Sequence, residues 1–230
     1  MELSEIDYSV RRSSRATKPR IDVDLDGVVV VIPENLSLDP ESLLDEKRDW
    51  VRDKLRDMQA LRERIPDRTF EEGATFPFQG EDLELVLEDE APSGVTENTF
   101  RLNRESVRKD GLKSVLESVY REQARDFISG VLDEWTDRIG VQYGQVKIKN
   151  QKTLWGSCSS KNNLNFNWRI MMAPEEIGKY VVIHELCHLV HSNHGDEFWK
   201  LLSDCLDNPR EKARWLKRNS VELIFTEDDL

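Results

Sequence analysis

The chain has 230 residues, 38% of them hydrophobic, and sets 33 basic against 45 acidic side chains for a formal net charge of −12. That length supports one substantial core, the acidity excludes a broad nucleic-acid-binding surface, and no window approaches the roughly 18–20 apolar residues of a membrane span. Three cysteines leave an odd thiol in any disulfide scheme, and Met1-Glu2-Leu3-Ser4-Glu5 has neither the basic start nor the apolar block of a secretory signal, so a reducing, cytoplasmic setting is expected.

Residues 1–20 carry Arg11, Arg12, Arg15, Lys18 and Arg20 among serines, without apolar periodicity. They read as a flexible basic arm, with weak contact to nucleic-acid phosphates as its secondary use. Ile21–Leu25 and Val28–Ile32 flank Asp26-Gly27, a dipeptide that closes two-residue hairpins. Asp39 then caps one helix with Pro40 at its first position, and Leu43, Leu44, Trp50, Val51, Leu55, Met58 and Leu61 form its apolar stripe. From Phe76 to Leu102 short strands are expected, Leu83, Leu85 and Leu87 alternating before Pro92-Ser93-Gly94 breaks the run. Residues 21–110 thus read as an N-terminal β-rich region with one helix.

A catalytic region is expected over 111–225, able to form one compact unit with the first. It opens with a long helix between Leu112 and Ile139, ended by Gly140 as C-terminal cap. Leu164 to Met172 alternates apolar Leu164, Phe166, Trp168, Ile170 and Met172 with mostly polar neighbours, which predicts a half-buried strand. Val146, Ile148 and Leu154 precede it across a turn-prone Ser157–Asn163, so an antiparallel hairpin is expected, whose strand accepts an extended peptide. A helix follows from Pro174 to His191. Beyond it Asp196 is expected to cap a helix through Leu206, Pro209 to open another through Lys217, and 226–230 to form a disordered acidic tail.

All four histidines fall between His184 and His194, and residues 184–188 spell His-Glu-Leu-Cys-His. At i and i+4 on a helix two imidazoles stand about 6 Å apart at Cβ, close enough for both Nε2 atoms to reach one zinc at about 2.0–2.1 Å. Glu185, one residue round the helix, suits a general base for zinc-activated water. His191 and His194 compete for the third ligand position. His191 lies about 4.5 Å further along a straight helix than His188; His194 returns if the helix ends near Ser192-Asn193, with Asn193 left-handed, and is favoured. A metzincin is unlike this chain, which has His191 in place of their glycine and no methionine after His194. In a gluzincin arrangement Glu197 or Glu211 would serve. Arg169 and Tyr180 are the nearby polar side chains in sequence, read as surface or core residues, and Cys187 as a small buried thiol.

Trp155-Gly156-Ser157-Cys158-Ser159, Asn163-Leu164-Asn165-Phe166-Asn167-Trp168-Arg169, Ala173-Pro174, the His184–His188 motif, Asn193-His194 and Phe198-Trp199 occur in that order. This pattern resembles the YgjP-like zinc metallopeptidases, most strongly from about Val146 to Leu202 and more loosely from about Arg20. The resemblance implies a zincin related to the SprT and WLM peptidases, with His184, His188 and His194 holding Zn2+ and Glu185 catalytic. The expected fold is α+β and zincin-like, the metal helix beside the long helix and a small antiparallel sheet. The expected activity is hydrolysis of peptide bonds in a peptide or protein substrate. A zinc-binding interaction protein without turnover, associated with nucleic acid through its arm, and a hydrolase of non-peptide amides or esters are the rival readings.

Overall fold

The computed structural model describes residues 6–226 and 229 and is a mixed α and β protein of two compact units, one ending at Pro66 and the other running from Asp67 to Asp229. The division falls earlier than the expected boundary near residue 110. Phe76, Leu83, Leu85, Phe100 and Leu102, from strands assigned by sequence to the first region, share one core with the long helix.

In the first unit β1 (Tyr8–Ser13), β2 (Arg20–Asp24) and β3 (Gly27–Pro33) form a sheet in the order β1-β3-β2. β3 is central because its run of β-branched residues is buried, Val30, Val31 and Ile32 being fully covered. β2 and β3 make the expected hairpin around Gly27, whose φ of 125° favours glycine. The expected flexible arm is corrected over residues 8–13, which pair in parallel with β3 as an edge strand. Periodicity missed it because an edge strand this exposed has no apolar alternation to show. Arg11 and Arg20 both reach Asp22, and Arg12 donates to the Leu36 carbonyl. The single expected helix is two, α1 (Pro40–Glu46) and α2 (Arg48–Arg62), broken where Lys47 leaves helical geometry at φ −107° and ψ 15°. Asp39 caps α1 as expected, accepting from the Glu41 amide.

In the second unit β4 (Thr75–Phe78), β5 (Glu81–Glu88), β6 (Gly94–Val95) and β7 (Thr99–Asn103) order as β4-β5-β7-β6. The short helix α3 (Arg104–Asp110), capped by the Asn103 side chain, leads into α4 (Leu112–Ile139). Gly140 ends α4 in the left-handed conformation, as its position predicts.

β8 (Val146–Lys149), β9 (Gly156–Cys158) and β10 (Leu164–Asn167) form the sheet nearest the histidines, ordered β8-β10-β9. Two expectations are corrected here. The sheet is mixed, since β10 runs antiparallel to β9 but parallel to β8; period two reports burial and says nothing of which neighbour pairs or in what direction. β10 therefore lies at the centre, and β9, read from sequence as turn, takes the edge. The expected strand also stops at Asn167, whose side chain accepts from the Arg169 amide and donates to the Gln151 and Leu154 carbonyls. Trp168–Met172 is a 3-10 turn with all five side chains buried; burial all round mimicked alternation.

The remaining helices are α5 (Glu175–Cys187), α6 (Asp196–Cys205) and α7 (Pro209–Asn219). α6 has no side-chain cap, so Asp196 does not play the expected part. The expected disordered tail is corrected at Asp229, which is buried and accepts from the Phe225 and Thr226 amides; residues 227, 228 and 230 lie outside the described residues. Phe225 packs edge-on against Trp168, Tyr120 and Phe70.

Candidate active site

α5 carries buried side chains on nearly every face, among them Ile177, Val181, Val182, Ile183 and Leu186, so it is held as an inner helix against α4 rather than as an amphipathic surface one. Its register fixes where His184, Glu185 and His188 emerge. The helix ends at Cys187, earlier than expected, and the chain turns at once: the His191 amide bonds to the Cys187 carbonyl at 2.9 Å, and the His191 carbonyl lies 2.9 Å from His188 Nδ1. The turn belongs to residues 188–190, and Asn193 is not left-handed. Instead the Asn193 carboxamide accepts from the Gly195 amide at 3.1 Å and steadies the approach to α6.

This path brings His194 back. The Nε2 atoms of His184, His188 and His194 lie 3.2, 3.2 and 3.0 Å apart. Three such nitrogens cannot satisfy one another by hydrogen bonds, because each is either donor or acceptor and a triangle leaves at least one like pair. Nitrogens about 2.0–2.1 Å from one tetrahedral ion stand about 3.3 Å apart, so the triangle fits a single cation. Among the described residues no fourth histidine, cysteine or carboxylate joins the group. The His191 side chain stands outside it, as do Glu197 and Glu211.

Burial and the neighbouring imidazoles drive the His184 pKa down to about 3, and the same two causes lower that of His194. Both are therefore neutral at pH 7, the form that donates a lone pair to a metal. Phe198, fully buried at the start of α6, forms the floor, its ring 4.9, 4.6 and 4.8 Å from those of His184, His188 and His194.

Outer contacts orient two of the rings. With Nε2 turned to the triangle, His184 carries its proton on Nδ1 and donates to the Tyr180 hydroxyl at 3.2 Å, while His188 donates to the His191 carbonyl. Tyr180 thus positions His184. Arg169 is buried over Trp155 and donates to the Gln151 carbonyl, supporting the loop before β9. We expect Tyr180→Phe to keep the fold and to weaken binding of a divalent metal by about tenfold or more, the effect usual for an outer hydrogen-bond partner. Competition with a chromophoric chelator measures it, and unchanged affinity would remove the role given to this hydroxyl.

Glu185 is buried beside the triangle. Loss of water pushes its carboxyl up to about 7, with a hydrogen bond from the Cys158 amide opposing the shift. β9 passes so close that a Cβ on Gly156 would stand 2.7 Å from both Cγ and Oε1 of Glu185. Sequence reasoning missed Gly156, the Cys158 amide, Phe198 and the His191 carbonyl. Two of these are backbone groups that residue type does not reveal, and the other two were visible only as letters of the family pattern. Cys187 is fully buried as expected, its thiol hydrogen-bonded to that of Cys205 and pushed up to about 12, chiefly by burial.

The three imidazoles and Glu185 open onto a cleft of ≈ 690 Å³ whose lining comes from two segments, 154–162 around β9 and 184–194 at the end of α5. The model of the YgjP-like metallopeptidase domain matches residues 17–219. The chain belongs to the YgjP-like metallopeptidase family. Among solved structures this YgjP-like chain is similar to the metallopeptidase zymogen abylysin of Pyrococcus abyssi, at 22% identity over 42% of this chain and 99% of that one, with a TM-score of 0.37. It is also similar to the zymogen jannalysin of Methanocaldococcus jannaschii, at 22% identity over 40% and 96%, again at 0.37. No curated protein matches it.

Proposed function

We propose that this metallopeptidase hydrolyses peptide bonds with a zinc ion held by His184, His188 and His194 and with Glu185 as general base. The observation that carries the reading is the convergence of three imidazoles, their Nε2 atoms 3.0–3.2 Å apart, beside one buried carboxylate. Neutral imidazoles suit zinc among the divalent cations, and when bound a zinc with three protein ligands supplies Lewis acidity and a water of lowered pKa. Glu185 takes a proton at its carboxylate and returns it to the departing amine. Gly156 and the Cys158 amide hold that carboxylate in place. Phe198 and Tyr180 fix the imidazoles. The edge strand β9 offers main-chain groups to an extended substrate, the part given by sequence to the strand from Leu164. A structural zinc site would be closed by a fourth protein ligand, and the described residues group only three.

The test is metal stoichiometry together with cleavage of an unfolded protein. One zinc per chain, with cleavage that stops on chelation and returns with zinc, is the expected result. Cleavage by metal-free protein, or one zinc per chain without cleavage, would overturn the proposal, the latter in favour of a zinc-binding interaction protein.

A further inference from the structure

We infer that the cleft selects extended segments with apolar, uncharged side chains, and that Leu154 and Val190 are the residues that set this preference. The inference rests on the proposed peptide hydrolysis at the same cleft. Asp, Glu, Lys and Arg make up 34% of the chain, yet among the described residues lining the cleft Glu185 is the sole member of that set. The rest of the polar lining is serine, asparagine and histidine, which offer hydrogen bonds to a peptide backbone but no counter-charge to a side chain.

Leu154 and Val190 line the same cleft, and each is 48% exposed. Scattered surface leucines and valines need no explanation. Here, however, two of the five large exposed hydrophobics among the described residues flank one concave site. Their places in the chain set them beside the reacting groups. Leu154 stands two residues before Gly156, where β9 begins, and Val190 two residues after His188. Together they border the reacting centre from both lining segments. A peptide laid along β9 turns alternate side chains to opposite sides, so one set meets this border. An apolar side chain placed there removes its own surface and that of Leu154 or Val190 from water. A lysine or glutamate placed there loses hydration and finds no partner. Both effects act in the same direction.

The experiment uses zinc-loaded full-length Glu185→Gln protein, which binds without turning over, and fluorescent serine-rich peptides that differ only in a central leucine, serine, lysine or glutamate. We expect the leucine peptide to bind at least about tenfold tighter than the lysine and glutamate peptides, within the range that a hydrophobic contact discriminates. Adding Leu154→Ser or Val190→Ser should reduce leucine-peptide affinity by about tenfold and leave the serine peptide unchanged. Both side chains are half in water, so an unaltered melting temperature is expected to show that the fold is kept. Equal or tighter binding of the charged peptides, no leucine preference, or indifference to both serine variants would overturn the inference. Cleavage by the native chain separates the two claims: leucine-selective binding without hydrolysis keeps the selectivity and removes the peptidase, whereas hydrolysis of all four peptides at one rate does the reverse.

Discussion

Glu185→Gln is expected to retain one zinc per chain and to lower turnover by on the order of 10²–10⁴-fold, the contribution of a well-placed general base. Glutamine matches glutamate in shape and can still fill the space over Gly156, so the three imidazoles, borne by other residues, keep their spacing. What disappears is the capacity to take up a proton. The Cys158 amide, which donates to the carboxylate, can donate equally to the carboxamide oxygen, so little stability should be lost. Metal analysis and steady-state rates on an unfolded-protein substrate measure the two quantities. Undiminished turnover would remove Glu185 from the chemistry, and loss of zinc would make it a structural part of the metal centre.

Gly156→Ala should lower turnover by about 100-fold while leaving zinc bound and costing no more than about 1–3 kcal/mol of stability. The added Cβ would stand 2.7 Å from Glu185 Cγ and Oε1, well inside the roughly 3.5–4.0 Å of normal carbon contact, so the carboxylate has to move by close to 1 Å. A displacement of that size at a reacting group costs about 100-fold. Gly156 does not occupy the left-handed region, so alanine brings no backbone strain, and the loss of freedom in the unfolded chain, about 0.4–1 kcal/mol, offsets part of the packing cost. Activity therefore falls far more than stability. Unfolding assays and kcat measured side by side would show this, and turnover that falls only in proportion to the loss of folded protein would mean that Gly156 serves packing instead.

Some of the architecture was legible because one local signal sufficed. Asp39 with Pro40, Asp26-Gly27 and Gly140 each impose a backbone geometry on their neighbours, and the structure has the cap, the hairpin and the helix end where those residues stand. The same reasoning failed where two structures share one pattern. Trp168–Met172 is buried on all sides, which a period of two cannot distinguish from a half-buried strand. Tyr8–Ser13 is too exposed to show a period at all.

At the candidate site, residue types and their spacing by themselves put His184, Glu185 and His188 on one helix, and favoured His194 over His191 on the expectation of a turn near Ser192-Asn193. Only the tertiary structure decided the rest. It ended α5 at Cys187, where the Leu189 and Val190 amides bond three residues back to the Leu186 and Cys187 carbonyls, put Phe198 beneath the three rings, and moved the edge of the sheet from the strand at Leu164 to Gly156–Cys158. The reason is physical. A spacing of four residues is a property of one helix, whereas the approach of β9 to Glu185 depends on how a strand 29 residues earlier packs, and the partners there are a missing side chain and a backbone amide, neither of which leaves a mark in residue type.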